Sequence, residues 1–416
     1  MSDNKDIDYL SRLPPELIQN IFDLACYSRS SLAVPPSRYL KSFVERSLYS
    51  QTFVDSYRSL GLFCHRVTQA RLDQIRSLNL NLREYPYMYL DADEEDPHLP
   101  ADEDFVSLLQ RLTALEDLQI QGSARLALLV LSPPVAISSL PNLRSLDLDS
   151  PFDPLDDPFH PLHYTVLAHY PSLEKLDLSI SRESTSISSF PSNPIPSSFL
   201  PFASIKSFTL YGLELTSPHI PALLASLVNV TEVSIIDENE HSKVGGLANY
   251  LPSPGSLLQL EIVSFSDPDP DSPSPSPTLS LKRFSNLRSL SISYAVDLRS
   301  ISFHQDLGSL VHLRSLTLGF DTELSVFNLS RSLDVLNLES LVLEGLKTHI
   351  KKTDPETIER PAWTNVFSRE GFRKLVEKCQ QKGIKLSGGS FGAFELEEQF
   401  DRRELENGTR QRFEQV

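Results

Sequence analysis

The sequence of 416 residues predicts an α/β solenoid, in which short parallel strands stack side by side into one curved sheet with helices and loops outside it. Three observations predict this fold. A frame of apolar residues (Φ), written ΦxxΦxxΦxΦ, recurs ten times between residues 72 and 343. Eight of the nine steps between successive copies are 25–32 residues long. Three copies also share nearly the same letters, in PNLRSLDL, SNLRSLSI and VHLRSLTL.

The frame predicts what each copy forms. The final ΦxΦ is a short strand whose alternate side chains point inward, and the preceding ΦxxΦxx is a helical turn that leads into it. One copy cannot bury its own apolar edge, so neighbouring copies must stack. Because the step length is close to that of a leucine-rich repeat, we predict a leucine-rich-repeat solenoid over residues 38–386. The third apolar position marks the ten strands, at Leu78, Leu118, Leu146, Leu176, Phe208, Val233, Leu260, Leu290, Leu316 and Leu341.

Three stretches between copies are poor in apolar residues. Residues 91–104 are acidic, residues 181–201 are rich in serine and proline, and residues 267–277 read DPDPDSPSPSP. Such sequence cannot bury enough apolar area to order itself, so we expect mobile insertions at the edge of the sheet. The serines that precede prolines in the last stretch are either part of a solvated spacer or sites for a proline-directed kinase.

Composition and charge exclude several classes of protein. The net charge of −17 would be repelled by nucleic acid and by anionic membranes, so neither is expected as a partner. Cys26, Cys64 and Cys379 are too few and too far apart for a disulfide framework. The polar start MSDNKDIDYL is no secretory signal, and no apolar stretch approaches the ~20 residues that a membrane helix needs. We therefore expect an intracellular protein, in the cytoplasm, the nucleus or both.

A helix is predicted ahead of the repeats, in DIDYLSRLPPELIQNIFDLAC. Pro14 and Pro15 fit its first turn, where a proline loses no hydrogen bond. Apolar residues then follow at helical spacing from Leu17 to Ala25 and form a face too broad for one short helix to hide. This face needs a partner, within the chain or outside it.

The segment Leu13-Pro14-x-Glu16-Leu17-Ile18-x-x-Ile21-Phe22 resembles the opening of an F-box. With repeats behind it, the chain resembles the F-box/leucine-rich-repeat proteins, particularly the divergent fungal set. The resemblance implies that residues 1–37 form an F-box-like helical segment that binds a Skp-type adaptor of a cullin ubiquitin ligase. By that likeness, the adaptor contact is made by Leu13, Pro14, Leu17, Ile18, Ile21 and Phe22.

The sequence departs from the F-box pattern after this helix. An F-box continues with further helices that end in a Trp-containing segment, whereas the only tryptophan here is Trp363. Residues 27–37 look like a compressed connection. Residues 38–45 form either a helix or the first strand of the solenoid, followed by a helix over residues 48–60. We favour the strand.

The other end of the chain contains a predicted helix and strand. Phe372, Leu375, Val376 and Cys379 have helical spacing, and the helix should end near Gly383. Residues 384–386 are a predicted strand. The unit at about 368–386 should cap the stack, and residues 387–416 form a charged tail.

No enzyme mechanism follows from the sequence, and we predict no cofactor and no metal. Residues 388–392 match the nucleophile motif G-x-S-x-G, but a hydrolase of that type needs a later histidine and the last one is His349. The cluster of His160, His163 and His169 lacks the spacing of a zinc site.

What remains is the concave face of the predicted sheet, formed by the side chains that alternate with the buried ones. Its acidic centre suits a basic protein ligand, although these side chains are equally compatible with a plain solvated face. We predict a substrate-recognition subunit of a cullin ligase; the alternative is a ubiquitin-independent scaffold or inhibitor. The predicted substrate-binding residues are Asp117, Gln119, Asp147, Asp149, Lys175, Asp177, Tyr211, Glu232 and Glu261.

Overall fold

The computed structural model consists of two compact units, Met1–Ser186 and Ile187–Val416. It describes residues 50–82, 100–131, 140–150, 167, 170–180, 202–212, 220–237, 247–248, 250–252, 255–264, 281–294, 306–319, 326–344 and 369–389. The F-box-like segment, residues 38–49, residues 91–99 of the first predicted insertion, the other two predicted insertions and the tail from residue 390 lie outside these residues. Residues 102–104, which were expected in the first mobile insertion, instead form the first turn of a helix, because the apolar residues that follow them pack into the core. None of the described helices is long and apolar enough to span a membrane.

The first unit contains parallel strands that pair in chain order. The strands are β1 (Gln51–Val54), β2 (Ser77–Asn81), β3 (Asp117–Gln121), β4 (Ser145–Ser150) and β5 (Lys175–Ile180). The described helices that connect them are α1 (Tyr57–Arg66), α2 (Gln69–Leu72), α3 (Asp102–Arg111) and α4 (Ala124–Val130).

The second unit repeats this arrangement with its own parallel strands, again paired in chain order. They are β6 (Ser207–Gly212), β7 (Glu232–Asp237), β8 (Gln259–Ser264), β9 (Ser289–Tyr294), β10 (Ser315–Gly319), β11 (Ser340–Glu344) and β12 (Lys385–Ser387). Its described helices are α5 (Ile220–Ser226), a 3-10 turn at Leu281–Arg283, α6 (Val326–Val335) and α7 (Arg369–Lys382).

The register of the strands confirms the leucine-rich-repeat prediction. The third apolar position of each of the ten copies is the second residue of one strand, from β2 to β11. In the first unit Leu78, Leu118, Leu146 and Leu176 pair in one row and are fully buried. The second unit has the corresponding row from Phe208 through Leu341, at most 3% exposed. Each unit is therefore a leucine-rich-repeat solenoid with its core behind the sheet.

Backbone hydrogen bonds fix this register where each strand begins. The Arg76 carbonyl accepts the N–H groups of Glu116 and Asp117 at 2.7 and 2.9 Å. Such a shared acceptor leaves neighbouring copies little freedom to slip past each other. The same arrangement recurs at the carbonyls of Glu116, Arg144, Lys206, Thr231, Leu258, Arg288 and Arg314.

A polar side chain ties the turn of one copy to the turn before it. The residue just before the second apolar position donates to a backbone carbonyl of the preceding copy. Asn142 Nδ2, for example, lies 2.9 Å from the Thr113 carbonyl oxygen. The contact therefore joins the turns of neighbouring copies through a side chain as well as through the strands. The other such donors are Ser172, Asn229, Ser256 and Asn286.

The predicted helix over residues 48–60 is wrong at residues 51–54. Residues 51–54 are strand β1, paired with β2 from Gln51 to Val54, and Val54 is buried. The helix begins only at Tyr57, because the Ser56 hydroxyl accepts the N–H of Ser59 at 3.2 Å and caps it. Pairing with a neighbouring strand thus prevails over local helical spacing.

The end of the second unit contains the helix and the strand that were expected there. After α7, Gly383 has a φ of +70°, its N–H donates to the Gln380 carbonyl, and the N–H of Ile384 donates to the Cys379 carbonyl at 2.8 Å. These bonds form a Schellman motif, which ends the helix and directs the chain into β12 beside β11. The domain boundaries themselves stay a prediction.

Gly388 has a structural reason to be glycine. Its φ is +106°, and a Cβ built on it would lie 2.1 Å from the carbonyl oxygen of Leu343. Both the left-handed backbone and the close approach of β11 exclude a side chain. The glycine of the G-x-S-x-G match is thus explained by packing, whereas Ser390 lies outside the described residues.

We expect Gly388→Ala to lower the free energy of unfolding by more than about 1 kcal/mol, since the new methyl group must displace the Leu343 backbone. Urea denaturation followed by circular dichroism measures the change. Gly255→Ala is the matched control, because the nearest atom to its added Cβ is 4.0 Å away. Equal effects of the two substitutions would contradict this account of Gly388.

Candidate protein-interaction surfaces

The side chains opposite the core form what we call the polar face of each unit. In the first unit this face is built from three registered rows that cross β2 to β5. All of its residues with a described environment are partly or fully exposed. The rows are Ser77–Asp117–Ser145–Lys175, Asn79–Gln119–Asp147–Asp177 and Asn81–Gln121–Asp149–Ser179.

Hydrogen bonds run along the middle row from strand to strand. Asn79 Nδ2 donates to Gln119 Oε1, and Gln119 Nε2 donates to Asp147 Oδ2 at 2.6 Å. In the row beside it, the Ser77 hydroxyl donates to Asp117 Oδ2 at 2.9 Å. These bonds hold the side chains in place before any partner arrives, which reduces the entropy lost on binding.

Asp147 and Asp177 occupy paired positions on β4 and β5, so two carboxylates lie side by side. Partial burial and the charge of Asp177 raise the pKa of Asp147 above its usual value. Lys175 Nζ lies 2.5 Å from Asp177 Oδ2, and this contact raises the pKa of Lys175. Asp177 Oδ1 is buried and accepts no hydrogen bond within the described part of the chain. The pair is therefore an electrostatically costly cluster that a cation would relieve.

The polar face of the second unit is mostly hydroxylic. Ser234 Oγ donates to Glu261 Oε2 at 2.7 Å, and Ser340 Oγ donates to Ser315 Oγ at 2.9 Å. Its described charges are the carboxylates of Glu232, Glu261 and Glu344 and the ammonium of Lys385, which lies on the last strand. The face is thus acidic over β7 and β8.

Every predicted substrate-binding residue lies on a polar face. Six belong to the rows of the first unit, and Tyr211, Glu232 and Glu261 belong to the second. That these residues bind a protein stays a prediction. The predicted adaptor residues, from Leu13 to Phe22, lie outside the described part of the chain.

Sequence reasoning missed several residues of these faces, among them Asn79, Ile236 and Val263. Asn79 begins the hydrogen-bonded row, and its place inside the first repeat frame was a sufficient signal. Ile236 and Val263 lie on the polar face of the second unit although they are apolar. They directly follow the last buried residue of their frames, so they read as a continuation of the core.

Two thiols, Cys64 and Cys379, are buried among the described residues. Burial raises the pKa of the Cys64 and Cys379 thiols to about 11, which leaves almost no thiolate at neutral pH. The described residues include no cluster of three or more histidine, cysteine or acidic side chains that could hold a metal ion. The histidines at 160, 163 and 169 lie outside these residues.

Fold and surface together define the class of this chain as a leucine-rich-repeat protein. No protein-family model and no curated protein matches it. A solved structure of an internalin from Listeria monocytogenes is similar at 16% identity and a TM-score of 0.34, over 73% of this chain and 76% of that chain. The class rests on the repeats and strand register of this chain.

We expect Asp147→Asn to raise the free energy of unfolding at pH 7 by about 0.5–1 kcal/mol, the size of a cross-strand charge contact. With its pKa raised on folding, Asp147 binds protons more tightly in the folded state, so the ionised carboxylate costs stability at neutral pH. The gain should shrink as the pH falls through the raised pKa and vanish below 3.8, the usual value, where both states become protonated. Urea unfolding between pH 4 and 7 measures it.

Asp334→Asn provides a control with the opposite sign. Lys378 Nζ lies 2.7 Å from Asp334 Oδ1 and lowers the pKa of that carboxylate. Its stabilising effect is complete above the ordinary carboxyl pKa and is lost only below it. We therefore expect a small loss of stability that is constant from pH 7 to about pH 5. An Asp147→Asn gain with the same flat profile would contradict the carboxylate-pair account.

Proposed function

We propose that this chain is a non-catalytic protein-binding subunit that recognises a substrate for a cullin-type ubiquitin ligase in the cytoplasm or nucleus. The observation that carries the binding role is the registered polar face. Stacked strands present rows of hydrogen-bonded polar side chains opposite a leucine core. A surface of this kind offers shape and charge to a macromolecule rather than a reactive group to a metabolite.

The carboxylates of the first unit indicate the chemistry of the captured protein. Asp147 and Asp177 are held side by side, and Asp117 lies in the neighbouring row with Ser77 bound to it. An arginine or lysine of a partner placed between the two carboxylates would relieve their repulsion and donate its N–H groups to their oxygens. Binding to this cluster should weaken as salt rises.

The ligase role depends on the N-terminal segment. The F-box-like sequence at residues 13–22 supports it by resemblance, and its apolar helical face requires a partner. In this proposal the face from Leu13 to Phe22 binds the Skp-type adaptor, and the polar faces hold the substrate. The ubiquitin chemistry is then performed by the other subunits of the ligase.

The second candidate is a scaffold or inhibitor without a link to ubiquitin. It is favoured by the short segment after the helix, YSRSSLAVPPS, and by the position of the only tryptophan, Trp363, far from the N-terminus. In that case the apolar helix is covered by the chain itself. The polar faces bind proteins in either case, so an adaptor experiment separates the two candidates.

We expect Leu17→Asp/Ile21→Asp to abolish co-purification of the Skp-type adaptor from the native cell, because two charges would replace the centre of the apolar face. The control is Leu62→Asp/Val311→Asp, which makes the same change at residues that are 44% and 55% exposed in the solenoid. Quantitative mass spectrometry of the captured adaptor is the readout. Equal adaptor recovery from both variants, or none from the unmodified chain, would contradict the ligase role and favour the scaffold role.

We expect Asp147→Asn/Asp177→Asn to remove basic proteins from the captured set while adaptor recovery is unchanged. Asp55→Asn/Asp73→Asn neutralises two exposed carboxylates of the same unit outside the three rows of the polar face, so it matches the change in net charge. Capture at two salt concentrations, with mass spectrometry, compares the two variants. Identical captured sets would contradict a binding role for the carboxylate pair.

A further inference from the structure

An apolar stripe crosses the polar face of the second unit. Tyr211 on β6, Ile236 on β7 and Val263 on β8 are register partners, so their side chains stand next to one another on neighbouring strands. All three side chains are partly exposed: they are more exposed than the core residues and less exposed than the fully solvated ones. At about 4.8 Å between strands, the stripe is roughly 10 Å wide, enough for one large apolar side chain.

The stripe contrasts with the rest of this face. The paired positions two residues earlier on the same strands are Thr209, Ser234 and Glu261, and Ser293 continues the stripe's row on β9. Exposed β-branched apolar residues add nothing to the core, which is formed by the opposite side chains of the same strands. Burying the stripe against a partner would therefore be favourable by about 25 cal/mol for each Å² removed from water.

Carboxylates border the stripe on one side. Glu261 precedes Val263 by two residues, roughly 7 Å along the strand. The Ser234 hydroxyl donates to Glu261 Oε2 at 2.7 Å, which fixes the position of the carboxylate. The Oε1 atom takes no part in this bond. Glu232, two residues before Ser234, is exposed. Between β6 and β11 the described polar-face residues include no lysine or arginine, so every described charge near the stripe is negative.

We propose that the stripe is the docking site for a basic segment of another protein, which places a large apolar side chain on Tyr211, Ile236 and Val263. A lysine or arginine next to that side chain pairs with Glu261 and Glu232. Charge complementarity selects this occupant, because an acidic segment would be repelled by both carboxylates. The inference rests on the proposed protein-binding function and adds to it the position and the chemistry of the recognised segment.

The test uses the full-length chain and fluorescein-labelled synthetic peptides of equal length, measured by fluorescence anisotropy. One peptide alternates arginine with leucine, a second alternates arginine with serine, and a third alternates glutamate with leucine. We expect the first to bind most tightly, the second at least about tenfold more weakly because it cannot cover the stripe, and the third not at all.

Two double variants separate the apolar from the acidic contribution. Ile236→Thr/Val263→Thr keeps the β-branched shape and removes apolar surface, and Glu232→Gln/Glu261→Gln removes the charges. Each should weaken the arginine–leucine peptide at least about tenfold. Asp55→Asn/Asp73→Asn in the first unit loses the same two charges outside the polar-face rows and should change binding less than about twofold. Val263→Thr alone is a milder change and should still weaken binding of the arginine–leucine peptide about threefold. It replaces the double variant in the test if the double variant does not fold.

Several outcomes would overturn the inference. Equal binding of the arginine–leucine peptide to the unmodified chain and to both second-unit variants would place its site elsewhere. No binding to the unmodified chain would show that the stripe does not accept such a segment. A dimer of the unmodified chain in light scattering that Ile236→Thr/Val263→Thr dissociates would assign the stripe to a second copy. Adaptor recovery does not involve these residues, so failure here is distinguishable from failure of the ligase proposal.

Discussion

The structure depends on one constraint: each repeat has two apolar edges that only its neighbours can cover. A single copy of the frame is too small to bury its leucines, so stability comes from stacking. Stacking requires that equivalent residues stay in register, and the carbonyl that accepts two N–H groups at the start of each strand enforces this. A slip of one residue would turn every core leucine toward solvent. The constraint therefore fixes the core and, at the same time, the identity of the opposite face.

Because the scaffold is fixed by one set of side chains, the alternate set is free to vary. The two units use this freedom differently. In the first unit, Asp147 and Asp177 lie side by side. The raised pKa of Asp147 shows that ionising both carboxylates in the folded state costs free energy. In the second unit, Ile236 and Val263 leave apolar surface exposed beside Glu261. Neither arrangement improves folding, which is the physical reason for assigning both to binding.

The fold was largely predictable because its signal is repeated. Ten independent copies place the strands within a residue, and Gly383 marks the end of the last helix through its positive φ. The failure at residues 48–60 has a different cause. Local spacing there favours a helix, whereas the hydrogen bonds offered by β2 make residues 51–54 a strand. Sequence periodicity reports only the local conformational preference of a segment. It does not predict pairing with a strand that comes close only after folding.

The candidate surface was predictable in outline but not in its interactions. Alternation identified Asp147, Asp177 and Tyr211 as members of the exposed face, because that follows from the period of a strand. The sequence by itself determined the repeat, the core and the sign of the charge. Only the tertiary structure decided which side chains touch, such as Gln119 with Asp147 and Ser234 with Glu261, and that three apolar residues line up beside them. These neighbours are 25 or more residues apart in the chain, and the distance between them is set by strand pairing rather than by sequence spacing.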